Sequence, residues 1–159
     1  MEMVLLWLFF ISGLILLYIA LKKPPLRSWL LCLLTAAFFT TFLGDLVVKY
    51  NLLSYPVQLL PKFQSSVLYE YLLLPLMCVF FYQTSYHKNV LNWCWQALVY
   101  SSVLTAGEVL LQQNTDLVHY INWSWFHSLL SQFLLLLFIR WLMWLINDVA
   151  QRRGRSRGA

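Results

Sequence analysis

The chain has 159 residues, 61% of them apolar and 11% charged, with a mean hydropathy of +0.68. Soluble domains carry roughly a quarter charged residues, so this chain lacks the polar surface to cover itself in water, and the lipid bilayer is its expected solvent and first partner. The formal charge of +5 suggests a nucleic-acid ligand until its distribution is read: the basic residues sit at the ends of apolar runs with no groove-fitting element beside them, which excludes nucleic acid as the partner.

Apolar runs long enough to cross a hydrocarbon core of about 30 Å recur along the chain. They are Met3 to Leu21, Ser28 to Tyr50, Ser66 to Ser85, Leu91 to Leu111 and Trp125 to Asn147. A lipid-exposed backbone must satisfy its own hydrogen bonds, and none of the runs alternates polar with apolar as a barrel strand does. The expected fold is therefore all-α, a polytopic bundle of five transmembrane helices. Residues 1–150 form one domain, and the basic tail "QRRGRSRGA" over 151–159 is expected to be disordered.

The first run has Glu2 in place of a basic leader and carries its positive charges after the apolar stretch, so it reads as an uncleaved anchor. Lys22, Lys23, Arg27, Lys88, Arg152, Arg153, Arg155 and Arg157 fall on one side of the five spans, and Lys49 and Lys62 on the other. Cytoplasmic connections retain Lys and Arg, which places the N-terminus outside and the C-terminus in the cytoplasm of a multi-pass cell-membrane protein. The arginine run marks the end of the last crossing and suits anionic lipid head groups. Trp29, Tyr50, Tyr69, Tyr86, Trp93, Trp123 and Trp125 read as interfacial belts. The connection "NLLSYPVQLLPKFQSS" is too apolar for free solvation and is expected along the outer interface.

Few polar groups remain inside the spans, and each is costly there. Asp45 lies in "AAFFTTFLGDLVVKY", and steps of four back from it give Thr41 and Ala37, with Gly44, Thr40 and Ala36 in the adjacent row. Small residues let membrane helices approach closely, so this face, Asp45 included, is expected against protein. The fourth span repeats the device with Ala97, Ser101, Thr105 and Glu108. Glu70 lies near the outer end of the third span, where Pro75 removes the hydrogen bond that would reach Tyr71. The fifth span opens with Ser124, His127, Ser128, Ser131 and Gln132.

An acid at a helix centre costs roughly 2.5 to 3.5 kcal/mol on insertion scales, less near the interface. Asp45, Glu70, Glu108 and His127 thus form a candidate polar or ion-binding cluster at the outer end, to be weighed against a purely structural network of interhelical hydrogen bonds. Arg140, in the inner half of the last span, reads as a snorkelling cation with Trp141 and Trp144 as neighbouring rings, or as the partner of a buried acid.

No HExxH, GxSxG or phosphate-binding loop is present, the histidines lack metal-ligand spacing on one helix, and Cys32, Cys78 and Cys94 lie in apolar runs with no CxxC pairing. No catalytic residue, metal or cofactor is assigned, and the chain is not read as an enzyme. Three readings remain open: an accessory or structural membrane component, an oligomeric proton- or cation-coupled carrier or channel, and a lipid-modifying enzyme.

Gly44-Asp45, the Leu59 to Pro61 "LLP", Pro75 with Tyr82-Gln83, Glu108, and Asn122-Trp123 with Ser128 together resemble a family of small, functionally uncharacterised multi-spanning membrane proteins of endospore-forming Firmicutes. The resemblance runs from about residue 28 to 145. Members often carry glycine where this chain has Asn122. It implies the multi-span topology and a role in spore or envelope membranes, and no agreed activity. The small-residue packing faces suit other membrane proteins or further copies of the chain as partners.

Overall fold

The computed structural model of the protein describes residues 2–54, 56, 68–86, 89–115, 117 and 119–156. Five α-helices follow one another: α1 Glu2–Leu21, α2 Leu26–Lys49, α3 Leu74–Ser85, α4 Val90–Asn114 and α5 Trp125–Ser156. A π-helical turn, Tyr69–Leu73, leads into α3. Four helical stretches, Met3–Leu21, Leu26–Lys49, Val90–Asn114 and Trp125–Ala150, are long and apolar enough to cross a membrane. The connection expected along the outer interface lies mostly outside the described residues.

The shortest helix sits at the centre. α3 touches all four others, and Leu76, Cys78, Val79, Phe81 and Tyr82 on it are almost completely buried. The long helices around it bury one face and turn large apolar side chains outward, among them Leu8, Ile15, Leu34, Phe38, Val103 and Leu134. Contiguous apolar surface of this kind is stable against lipid and a liability in water. α1 lies close to the π-helical turn at Gly13, where an added Cβ would lie 2.7 Å from Leu72 Cδ2.

The described fold is all-α, as expected. At one end α5 runs on to Ser156. At the other end a short bridge joins two connections of the all-α fold: β1, Leu53–Ser54, pairs antiparallel with β2, His119–Tyr120, with Leu53 opposite Tyr120 and Ser54 opposite His119. The backbone N–H groups of Ile121 and Asn122 also donate to the Leu52 carbonyl, at 3.1 and 3.2 Å. This bridge ties the connection after α2 to the one before α5, at the end of the bundle opposite Lys22, Lys23 and Arg27.

Candidate functional site

Beneath the β-bridge lies a cavity of about 110 Å³. Its walls come from α2 (Thr40, Gly44, Val47), the π-helical turn (Tyr69, Glu70), α4 (Glu108) and α5 (Ser128, Gln132), with Leu53 and Trp123 from the bridged connections.

The π-helical turn explains how one short segment presents two polar side chains to the cavity. Pro75 has no N–H for the Tyr71 carbonyl, and the ring crowds that turn. The widened register takes over, with the Leu74 N–H bonding back five residues to the Tyr69 carbonyl. Adjacent residues Tyr69 and Glu70 thereby both line the cavity.

Glu70 is 2% exposed, and its carboxyl lies where a side chain on Gly44 would be: a Cβ there would overlap both carboxyl oxygens. Only glycine at position 44 admits this approach. One turn back, the Thr40 hydroxyl donates to the Glu70 backbone carbonyl at 2.5 Å, so α2 holds both the backbone and the side chain of Glu70. Cys32, Ala36 and Thr40 continue the same row and are buried.

Glu108 is 8% exposed and ends the buried row Ala97, Ser101, Thr105 on α4. Its Oε1 accepts hydrogen bonds from the Tyr69 hydroxyl and from Gln132 Nε2 at 2.5 Å. Its Oε2 accepts one from the Tyr120 hydroxyl at 3.2 Å. Gln132 Nε2 also donates to Tyr69 Oη at 3.0 Å, while Thr105 Oγ1 donates to Gln132 Oε1 at 3.3 Å. Around Ser128 Oγ, Trp123 Nε1 donates at 2.8 Å and the Tyr120 hydroxyl lies 3.3 Å away. Among the described residues, every hydrogen-bonding partner of Glu108 is therefore neutral. Burial pushes the Tyr120 phenol up to about 12, with the neighbouring Glu108 acting in the same direction and Ser128 opposing it; the phenol is a neutral donor at physiological pH.

The other two members of the expected cluster are elsewhere. Asp45 is exposed, not turned against protein, because Gly44 occupies the inward row and the next residue is rotated by about 100° on a helix. Thr41 and Ala37, on the Asp45 row, are only partly buried. His127 is likewise exposed; its Nδ1 lies 2.7 Å from Ser124 Oγ and its ring lies against Trp123. Tyr69 and Trp123, expected as interfacial anchors, are parts of the site. Tyr120 belongs to it through the β-bridge, which no local pattern announces. Among the described residues, no group of three His, Cys, Asp or Glu side chains could hold a metal ion.

At the opposite end Arg140 neither snorkels nor meets a carboxylate. It is 4% exposed and donates through Nε to Ser85 Oγ at 3.0 Å and through one terminal nitrogen to the carbonyls of Ser85 and Tyr86, each at 3.2 Å. These groups close the C-terminus of α3, where unsatisfied carbonyls and the negative end of the helix dipole favour a cation. The guanidinium lies 4.3 Å from the Trp93 ring centre and 4.9 Å from that of Tyr82; Trp141 and Trp144, the expected rings, are exposed. Trp93 Nε1 donates to the same Ser85 carbonyl at 3.1 Å, and Asn147 Nδ2 donates to Tyr82 Oη at 2.6 Å, so α4 and α5 are both fastened to the end of α3.

No family model, curated protein or solved structure matches the chain. The resemblance drawn from its short motifs stands without support from these comparisons.

Proposed function

We propose that the protein is a five-span integral membrane component, with its N-terminus outside and its C-terminus cytoplasmic, that binds a small monovalent cation in the cavity beneath the β-bridge. The observation that carries this reading is Glu108: a buried carboxyl on a cavity wall, surrounded by neutral donors and, among the described residues, with no basic side chain as a partner. Glu70 brings a second carboxyl to the same cavity from the side of α2. A site with two carboxyls and neutral donors gains from a cation that approaches from outside the chain.

Binding is favoured over catalysis. Among the described residues, no histidine or cysteine lines the cavity, and the Ser128 hydroxyl is engaged by Trp123 and Tyr120. A through-path within one copy is also disfavoured, because Leu76, Val79, Leu136, Ile139 and Met143 fill the bundle below the cavity almost without exposure. The role is that of an accessory component of a bacterial cell or spore envelope membrane, which meets its partners within the bilayer.

The test is thermal unfolding of the full chain in nanodiscs at constant ionic strength. Sodium, potassium and ammonium chloride are compared with N-methylglucamine chloride, whose cation is too large for the cavity. A ligand at 100 times its Kd stabilises by about 2.7 kcal/mol. At least one small cation should raise the midpoint, and Glu108→Gln should abolish the rise. Equal midpoints in all four salts would remove the proposal.

A further inference from the structure

We infer that the natural occupant of this cavity is a short primary alkylammonium ion, an inference that rests on the cation-binding reading and narrows it. Volume sets the first limit. About 110 Å³ corresponds to three or four waters at roughly 30 Å³ each, and is less than the cavity of about 150 Å³ that accepts benzene. An ammonium group with two or three carbons fits, and a long chain does not.

The walls set the second limit. Leu43, Val47, Leu53, Leu74 and Leu135 line the cavity together with the two carboxyls. A metal ion stripped of water needs several oxygen ligands, commonly six or more for the hard divalent ions; beyond the carboxyls the walls offer the oxygens of Thr40, Tyr69, Ser128, Ser131 and Gln132, each already hydrogen-bonded within the protein. A short alkyl body instead gains from the same walls, at about 25 cal/mol per Å² removed from water.

The hydrogen-bond inventory sets the third. The hydrogens of Tyr69 and Gln132 already point at Glu108 Oε1 and would face a bare metal ion there. An ammonium N–H can instead replace one donor by another. The donor placed to yield is Tyr120, whose bond to Oε2 is 3.2 Å and whose backbone belongs to a two-residue strand in the bridge over the cavity. Glu70, on the wall formed with α2, receives a second N–H, and the alkyl group lies along Val47 and Leu53.

The experiment is calorimetric titration of the full chain in phosphatidylcholine nanodiscs with methyl-, ethyl-, propyl- and hexylammonium chloride, and with sodium and potassium chloride. Saturable binding of ethyl- or propylammonium, at least tenfold tighter than either metal ion and at least tenfold weaker for hexylammonium, is expected. Val47→Phe narrows the cavity without touching a carboxyl; it should weaken propylammonium at least fivefold more than methylammonium, and it keeps the test independent of whether Glu108→Gln folds. Sodium or potassium binding as tight as propylammonium would overturn the alkylammonium assignment and leave the cation site standing. Absence of saturable binding by any of these ions would overturn both. Affinity that climbs steadily to hexylammonium and ignores Val47→Phe would show partition into lipid and overturn the assignment.

Discussion

The carboxyl of Glu70 occupies the space that a side chain on Gly44 would require. Gly44→Ala is therefore expected to destabilise the protein by about 1–3 kcal/mol, the usual cost of overpacking a filled site, read from equilibrium unfolding in mixed micelles. In Gly44→Ala/Glu70→Ala the carboxyl is gone and the methyl has room, so the double variant should lose less than the sum of the single losses. Strict additivity would mean that the two residues do not meet.

The donors around Glu108 make different predictions. Tyr69→Phe removes a hydrogen bond to Oε1 and should cost about 0.6–1.5 kcal/mol, the range for interhelical bonds in membranes and for ordinary protein hydrogen bonds. Glu108→Gln keeps the volume but turns an amide donor toward Tyr69, Tyr120 or Gln132, and about 1–3 kcal/mol should be lost. Full stability in Glu108→Gln would show that the network tolerates a donor at this position.

Tyr120 contributes a pH dependence of its own. Burial pushes its phenol up to about 12, above about 10 for a free tyrosine. The folded state thus holds this proton more tightly than the unfolded state, so the contribution to stability is complete below about pH 10 and is lost between about pH 10 and 12. Absorbance titration of phenolate formation should lose a late step in Tyr120→Phe, and the decline in stability over that window should become shallower. A titration curve unchanged in its late part would place the Tyr120 phenol in water.

Arg140 should behave as a cap on α3. Arg140→Lys retains the charge but cannot reproduce the fork of donors to Ser85 and Tyr86, and a loss of about 1–3 kcal/mol is expected. Arg140→Met should also lose stability by leaving the Tyr86 carbonyl without this donor, although it relieves the desolvation of a buried charge. Stability of Arg140→Met at the parent level would show that desolvation and capping cancel.

Much of the site was legible as spacing. The row Ala97, Ser101, Thr105, Glu108 follows the helical repeat, and all four residues are buried. Pro75 pointed to a weakened turn beside Glu70, though not to the π-helical register that presents Tyr69 with it. On α2, two rows of small residues lie side by side, and periodicity does not distinguish which faces α3; the structure turns Gly44 inward and leaves Asp45 exposed. His127 and Ser128 are separated by the same kind of one-residue rotation, with Ser128 buried. Tyr120 was hidden for another reason: it reaches Glu108 by pairing two-residue strands from distant connections, and strands that short leave no alternation in the sequence. Arg140 read as a snorkelling cation or the partner of an acid because no local pattern shows that the C-terminus of α3 supplies neutral acceptors for it.

The central claim is that Glu70 and Glu108 share one cation-accessible cavity. The chain contains three glutamates, Glu2, Glu70 and Glu108, so carboxyl-carbon magnetic resonance of protein labelled at the glutamate side chains resolves the question directly. Titration with propylammonium in nanodiscs should shift the Glu70 and Glu108 signals together, with one midpoint, and leave Glu2 in place. Movement of neither buried signal, or separate midpoints for the two, would contradict a shared site.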